Sequence, residues 1–126
     1  MKVIKVVCGI IYKENKIFLC RRKPEKSLGG YWEFPGGKVE LHENPEAALL
    51  RELHEELTMQ VNVEHYFGTS MYDYPDFKIE LIAYVCTLQA DQFVLTDHDA
   101  FAWVAPEELL DWKLSPADVG LVEELL

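Results

Sequence analysis

An α+β, mixed α/β layering, with a central sheet and helices on its faces, is predicted by three features of this chain. Most apolar residues fall in β-branched runs separated by turn residues, one amphipathic helical segment sits mid-chain, and a second helical segment closes it. Helices separated by that many strands can lie on different faces of one sheet. The 126 residues, 49% hydrophobic and 27% charged, suffice for one core of ordinary size, so a single domain over 1–126 is expected.

Residues 3–11 and 16–22 are apolar, β-branched runs around the polar "YKENK", the spacing of a hairpin. The following "KPEKSLGGYWEFPGGK" gathers two prolines and four glycines and reads as loop, with only "YWEF" extended. Asn44-Pro45 starts a helix, because Asn caps free backbone donors and proline at the first helical position forfeits no hydrogen bond. That helix runs to about Leu57, and Leu49, Leu53 and Leu57, joined by Leu50, form its buried stripe. Residues 61–63, "YFGTSMY" and "FKIELIAYVCTL" read as strands, with "DYPD" as the turn before the last. "AFAWV" adds a short strand, "APEELLDW" a short helix, and "SPADVGLVEELL" a terminal helix with Ser115 as cap and Pro116 first inside.

Twelve basic against 22 acidic residues give a net charge of −10. Nonspecific binding to a nucleic acid polymer comes from Lys and Arg neutralising phosphates, so that class of partner is disfavoured, as is an anionic membrane. A small polyphosphate held by metal ions and a few basic side chains is not, since a bound divalent cation outweighs the average field locally. Cys8, Cys20 and Cys86 lie in strand-like runs without a CxxC pair, which suits a reduced compartment. The N-terminal apolar run is short and broken by a lysine, so neither a signal peptide nor a membrane span is expected and the location is read as cytoplasmic.

The densest signal lies in "GGKVELHENPEAALLRELHEELTM", where six glutamates surround one arginine. Glu52, Glu55 and Glu56 are three and four residues apart, on a common helix side turned away from the leucines. A solvated polar face is the ordinary meaning of such a pattern. Here, however, only Arg51 offsets the cluster, reaching Glu55 at i, i+4, and Glu52 and Glu56 have no basic partner on the helix. Carbonyls of a preceding Gly36-Gly37 turn can add hard oxygen ligands, and such a donor set suits Mg²⁺ or Mn²⁺.

Gly37, Glu43 and the run Arg51-Glu52-Leu53-His54-Glu55-Glu56-Leu57-Thr58-Met59 resemble the Nudix box, G-x5-E-x7-R-E-U-x-E-E-x-G-U with U aliphatic. One fixed position departs: Thr58 stands where the pattern has a glycine, a residue suited to a left-handed helix end. The resemblance continues in "GGYWEFPGGKVE", in "DH" six residues ahead of Trp103, and in "LSPAD". Together these are similar to the MutT-like branch of the Nudix hydrolases and, within it, to CTP pyrophosphohydrolases.

The resemblance implies an α/β/α sandwich and an Mg²⁺-dependent (Mn²⁺ possible) pyrophosphohydrolase that turns a nucleoside triphosphate and water into the monophosphate and pyrophosphate. It implies that Glu52, Glu55 and Glu56 bind the metal with a carbonyl of Gly36 or Gly37, Glu56 as the firmest ligand and Glu52 as ligand and candidate base. Arg51 and Glu43 would hold the loop against the helix, and Asp97 would serve as base or extra ligand. Arg22 meets a phosphate or a base edge and Lys38 the polyphosphate, or both are surface charges. Phe34 and Trp32 border the glycine turn, where one can stack on a base and at least one is expected in the core. His98 either donates to phosphate or stands solvated in a polar loop. Asp118 is either the partner of Ser115 in a capping box or an acceptor for an exocyclic amino group of the base.

The implied substrates are CTP, dCTP or 5-methyl-dCTP, or alternatively an oxidised purine such as 8-oxo-dGTP; a dinucleotide or ADP-ribose hydrolase and a non-catalytic nucleotide-binding module are further alternatives. The expected partner is a small-molecule nucleotide, and the protein would act as a monomer or homodimer.

Overall fold

The computed structural model describes residues 2–126. Its elements run β1 (Lys2–Lys13), β2 (Lys16–Arg22), β3 (Trp32–Glu33), β4 (Gly36–Lys38), α1 (Pro45–Leu57), β5 (Val61–Asp73), β6 (Phe77–Leu88), β7 (His98–Val104), a 3₁₀ helix (Pro106–Asp111) and α2 (Pro116–Leu125). All seven strands join one mixed sheet with β3-β2-β1-β6-β5 as its main path, β4 on β1 and β7 on β2. The β1/β6 pair is parallel and the other pairs are antiparallel.

Side chains alternate between the sheet's faces, and the sequence supplies apolar residues for both. Val7, Ile11, Phe18, Cys20, Ile82, Tyr84 and Cys86 pack with Ala48, Leu49, Leu53 and Leu57 of α1. The intervening Cys8, Ile10, Ile17, Leu19, Leu81 and Ala83 pack with Ala117, Leu121 and Val122 of α2. This alternation produces the predicted α/β/α sandwich. Among the described residues no helix is long and apolar enough to cross a membrane, and the three cysteines are free and buried.

One irregularity positions the site. β1 and β2 pair at the hairpin, Tyr12 with Ile17 and Lys13 with Lys16, and then part. Toward its start β1 pairs instead with β4, Val6 to Cys8 facing Lys38 to Gly36, while the far end of β2 pairs with β3. The sheet therefore carries a notch between two short strands, roofed by α1 on one side and floored by α2 on the other.

Several expectations are corrected. Gly36–Lys38 is strand, not loop, because glycine lets the backbone come close to β1: a methyl on Gly36 would overlap the Val7 carbonyl. Leu50 is 45% exposed, one residue out of phase with the stripe, and Ala48 takes the buried place. Residues 61–73 form one strand with two bulges, and β7 starts at His98, two residues before "AFAWV". The segment after Pro106 closes as a six-residue 3₁₀ helix, with no side-chain cap at Ala105 to start an α-helix.

α1 is delimited as its sequence predicts at the start, where Asn44 Oδ1 accepts from Ala47 N at 2.8 Å. At its end Thr58 takes the left-handed conformation itself, φ 52°, and donates its N–H to His54 O. A β-branched residue is strained there, so Thr58→Gly should stabilise the protein by about 0.5–1 kcal/mol after the entropy of the more flexible unfolded chain is subtracted. Urea denaturation measures this; an unchanged or lower midpoint would contradict the strain.

Candidate active site

α1 lies with one turn of its polar side over β4, close enough that a methyl on Gly37 would overlap the Glu52 carboxylate. Two glycines thus set the distance between a strand's carbonyls and a helix's acids. Arg51 fixes their orientation. Its Nε and Nη2 each donate to Glu43 at 2.8 Å, a bidentate pair, and Nη2 also reaches the Lys38 carbonyl at 3.1 Å. Nη1 donates to Glu52 Oε1 at 2.8 Å and to Glu55 Oε2 at 3.3 Å. Glu52 therefore does have a basic partner on its helix: Arg51 beside it turns its guanidinium across the helix surface, a reach that i, i+4 spacing does not express. Charge-assisted hydrogen bonds from Arg51 pull the Glu43 carboxyl down to about 2.

Glu56 has no such support. Among the described residues its buried Oε2 has no hydrogen-bond partner. Burial first, then the charges of Glu52, Glu33 and Asp97, push its carboxyl up to about 8, with Arg22 pulling weakly the other way. Glu55 differs from both: its side chain is mostly in solvent, so the three acids share a side without sharing an environment. Asp97 is brought over by the loop before β7, which Thr96 ties to the Glu56 carbonyl at 2.5 Å and Val94 to the Leu57 carbonyl. Its carboxylate faces Lys26 at 3.5 Å.

The notch opens into a cavity of about 630 Å³ that reaches from Gly36, Gly37 and Lys38 past Arg22 and Phe34 to Asp118. That volume is in the range of small-ligand sites. Lys38 stands exposed at its rim, and Arg22 is anchored by Nε to the Ser27 carbonyl at 2.6 Å. Phe34 is buried on the α2 side with an edge on the cavity, whereas Trp32 packs against Trp112, 4.7 Å between centroids, and lies outside it. Tyr74 and Phe77, stacked at 5.3 Å on either side of the β5–β6 turn, form an apolar wall.

Asp118 is no capping residue, since Ser115 makes no side-chain cap bond and its Oγ has no partner. The chain crossing from β3 to β4 lies over the start of α2 and offers Asp118 Oδ2 the Phe34 N–H at 2.8 Å instead. Burial raises its carboxyl well above the usual range. His98 is not solvated: it is 3% exposed, with Nε2 at 2.9 Å from Glu33 Oε2. Glu33 was not singled out by sequence reasoning, although its place between Trp32 and Phe34 turns it to the face opposite theirs, where it meets Arg22 at 3.3 Å.

Two donor groups can be weighed as metal sites. Cys20, Glu33 and His98 offer atoms within 4.8 Å of one another. They already bond among themselves, Cys20 Sγ to the Glu33 carbonyl and His98 to the Glu33 carboxylate, and burial pushes the thiol well up. Glu52, whose carboxylate lies against Gly37, and Glu56, whose buried Oε2 has no partner among the described residues, offer oxygen donors only. A hard divalent cation fits this second group, and binding there would offset the buried charge of Glu56.

The NUDIX domain family model matches residues 2–125. A CTP pyrophosphohydrolase of Escherichia coli (strain K12) is 39% identical over 131 residues, covering all of this chain and 93% of that protein. An 8-oxo-dGTP diphosphatase of Proteus vulgaris is 41% identical over 87 residues, 68% of this chain and 78% of that protein. The solution structure of the E. coli ORF135 protein superposes with a TM-score of 0.85 at 37% identity, covering 99% of this chain and 89% of that one.

Glu56 gives this site a pH signature. Its folded value, about 8, lies above its unfolded value, so its protonated form is favoured by folding. That contribution is complete below about pH 4.5 and is lost as pH rises through about 8. Thermal melts of the metal-free protein should fall over this window, and Glu56→Gln should flatten the fall and raise the melting temperature at pH 8. Parallel profiles for the two proteins would mean that Glu56 is not buried as an acid.

Proposed function

The chain belongs to the NUDIX domain family, hydrolases that generally use a divalent metal on small nucleotides, and from that premise we propose that this pyrophosphohydrolase cleaves cytosine nucleoside triphosphates. CTP, dCTP or 5-methyl-dCTP plus water would yield the monophosphate and pyrophosphate. The observation that carries the choice of base is Asp118: its Oδ2 is occupied by Phe34 N–H, so Oδ1 is the oxygen left for a base. An ionised Oδ1 accepts from an exocyclic amino group such as cytosine N4, which uracil and thymine lack. The name of the E. coli relative supports the same base.

Glu56 and Glu52, with a carbonyl of Gly36 or Gly37 and with Glu55 and Asp97 at the margin, would hold Mg²⁺, Mn²⁺ being the other ion suited to such donors. A bound divalent ion supplies positive charge that neutralises phosphate oxygens and eases deprotonation of water. Arg22 and Lys38 bind the polyphosphate, Arg22 as a fork and Lys38 as a point charge. Glu52 takes a proton from the attacking water as the water oxygen bonds to a phosphorus of the α–β anhydride, the P–O bond of that bridge breaks, and pyrophosphate leaves the monophosphate. Arg51 and Glu43 keep Glu52 and β4 in register. With a net charge of −10, the enzyme takes free nucleotides rather than a nucleic acid polymer, in the cytoplasm, as monomer or homodimer.

A second reading rests on the same carboxyl. Burial favours the protonated form of Asp118, and a protonated Oδ1 donates rather than accepts. It would then suit a base edge that offers an acceptor, as an oxidised purine such as 8-oxo-dGTP does.

Pyrophosphate release with Mg²⁺ across CTP, dCTP, 5-methyl-dCTP, UTP and 8-oxo-dGTP separates these readings. The cytosine triphosphates should lead, Glu56→Gln should reduce turnover by at least about 100-fold, and Asp118→Asn should narrow the margin over UTP by roughly tenfold, one base-edge contact. Preference for 8-oxo-dGTP would favour the second reading, and silence on every nucleotide would leave only a binding module.

A further inference from the structure

His98 presents a puzzle that the proposed reaction does not resolve. It opens β7 in register with Arg22, is almost fully buried, and among the described residues has no partner at Nδ1. Burying an imidazole costs free energy, and a position that needed only bulk would be filled at less cost by leucine or phenylalanine. The ring's one bond shows what it does. A Glu33 carboxylate oxygen can only accept, so His98 Nε2 donates the proton of this bond and Nδ1 takes no part in it.

Glu33 needs such a hold. It lies on a strand of two residues, β3, that follows a loop containing Gly29 and Gly30. Its Oε2 accepts both from His98 at 2.9 Å and from Arg22 Nη1 at 3.3 Å. Arg22 Nε is spent on the Ser27 carbonyl at 2.6 Å. Two of the three guanidinium nitrogens are thus anchored, and Nη2 is the one left to face the cavity that Arg22 lines.

We infer that His98 is a positioning residue: through its Nε2–H it fixes the Glu33 carboxylate, and Glu33 in turn orders the Arg22 guanidinium for the substrate's phosphates. This rests on the reading of Arg22 as a phosphate ligand. A long side chain at the end of a strand loses much rotamer freedom when it binds, and one ordered beforehand has less left to lose. The chain His98-Glu33-Arg22 crosses from β7 through β3 to β2, so it joins three strands at the mouth of the cavity.

Two variants isolate the bond. Glutamine at 98 can place an amide N–H where Nε2 stands, whereas asparagine places it where Nδ1 stands. His98→Gln should retain wild-type KM; His98→Asn should raise KM for the triphosphate roughly tenfold while kcat changes less than about threefold, the signature of lost uniform binding. Glu33→Gln should give a similar rise, and adding His98→Asn to it should add little. The chain has three arginines, so rotation of the Arg22 Nη groups about the guanidinium carbon can be followed by NMR: hindered in the wild type and His98→Gln, free in His98→Asn.

Indistinguishable Gln and Asn variants, or Arg22 Nη rotation that stays hindered in both His98→Asn and Glu33→Gln, would overturn the inference. If His98→Asn does not fold, Glu33→Gln tests the same bond from its other end. Arg22→Ala separates the premise: an unchanged KM would refute Arg22 as a phosphate ligand, while the NMR data would still decide whether His98 orders it.

Discussion

Oε2 of the half-buried Glu56 loses its water on folding and receives no hydrogen bond from the described residues in exchange, and the architecture around it keeps that deficit in place. α1 cannot rotate to expose the group, because Leu49, Leu53 and Leu57 lock the opposite face into the core. β4 supplies no side-chain donor at Gly36 or Gly37, one glycine admitting β1 and the other admitting Glu52. Arg51, the nearest cation on the helix, is committed to Glu43, Glu52, Glu55 and the Lys38 carbonyl. A proton removes the buried charge below about pH 8, and above it a hard cation would suit these oxygen donors.

The two faces of the sheet divide the labour. The α1 face carries the acids and their arginine, and the α2 face carries Asp118 and Phe34. The cavity at the notch where β1 and β2 part is lined by Asp118 and Phe34 and reaches Gly37, against which the Glu52 carboxylate lies, so it runs from the α2 face to the edge of the acids. Glu33, Arg22 and His98 occupy the crossing point. Under the proposed function, reaction class would be set by the helix that bears the glutamates and base choice by Asp118 on the other helix, so one could vary without the other.

Much of this was legible in the sequence because it depends on local periodicity. The alternation in "VVCGII", "KIFLC" and "LIAYVC" fixes two apolar faces, and Asn44-Pro45 fixes the start of α1. The acidic positions around Arg51 were equally plain, since helix geometry alone brings them together. What could not be read depends on long-range placement. The burial of His98 follows from β7 pairing with the end of β2, and Asp118's bond to Phe34 follows from a crossing chain that covers the start of α2. Gly36-Gly37 reads as a turn in sequence, and only its pairing with Val7 and Cys8 makes it a strand.

Anomalous diffraction from crystals soaked in Mn²⁺ tests the central claim most directly, because it locates the ion without relying on turnover. The account predicts a peak within bonding distance of Glu56 Oε2 and the Glu52 carboxylate, beside the Gly36-Gly37 backbone. A peak confined to Cys20, Glu33 and His98, or one on the outer acids with Glu56 Oε2 still unpartnered, would contradict it.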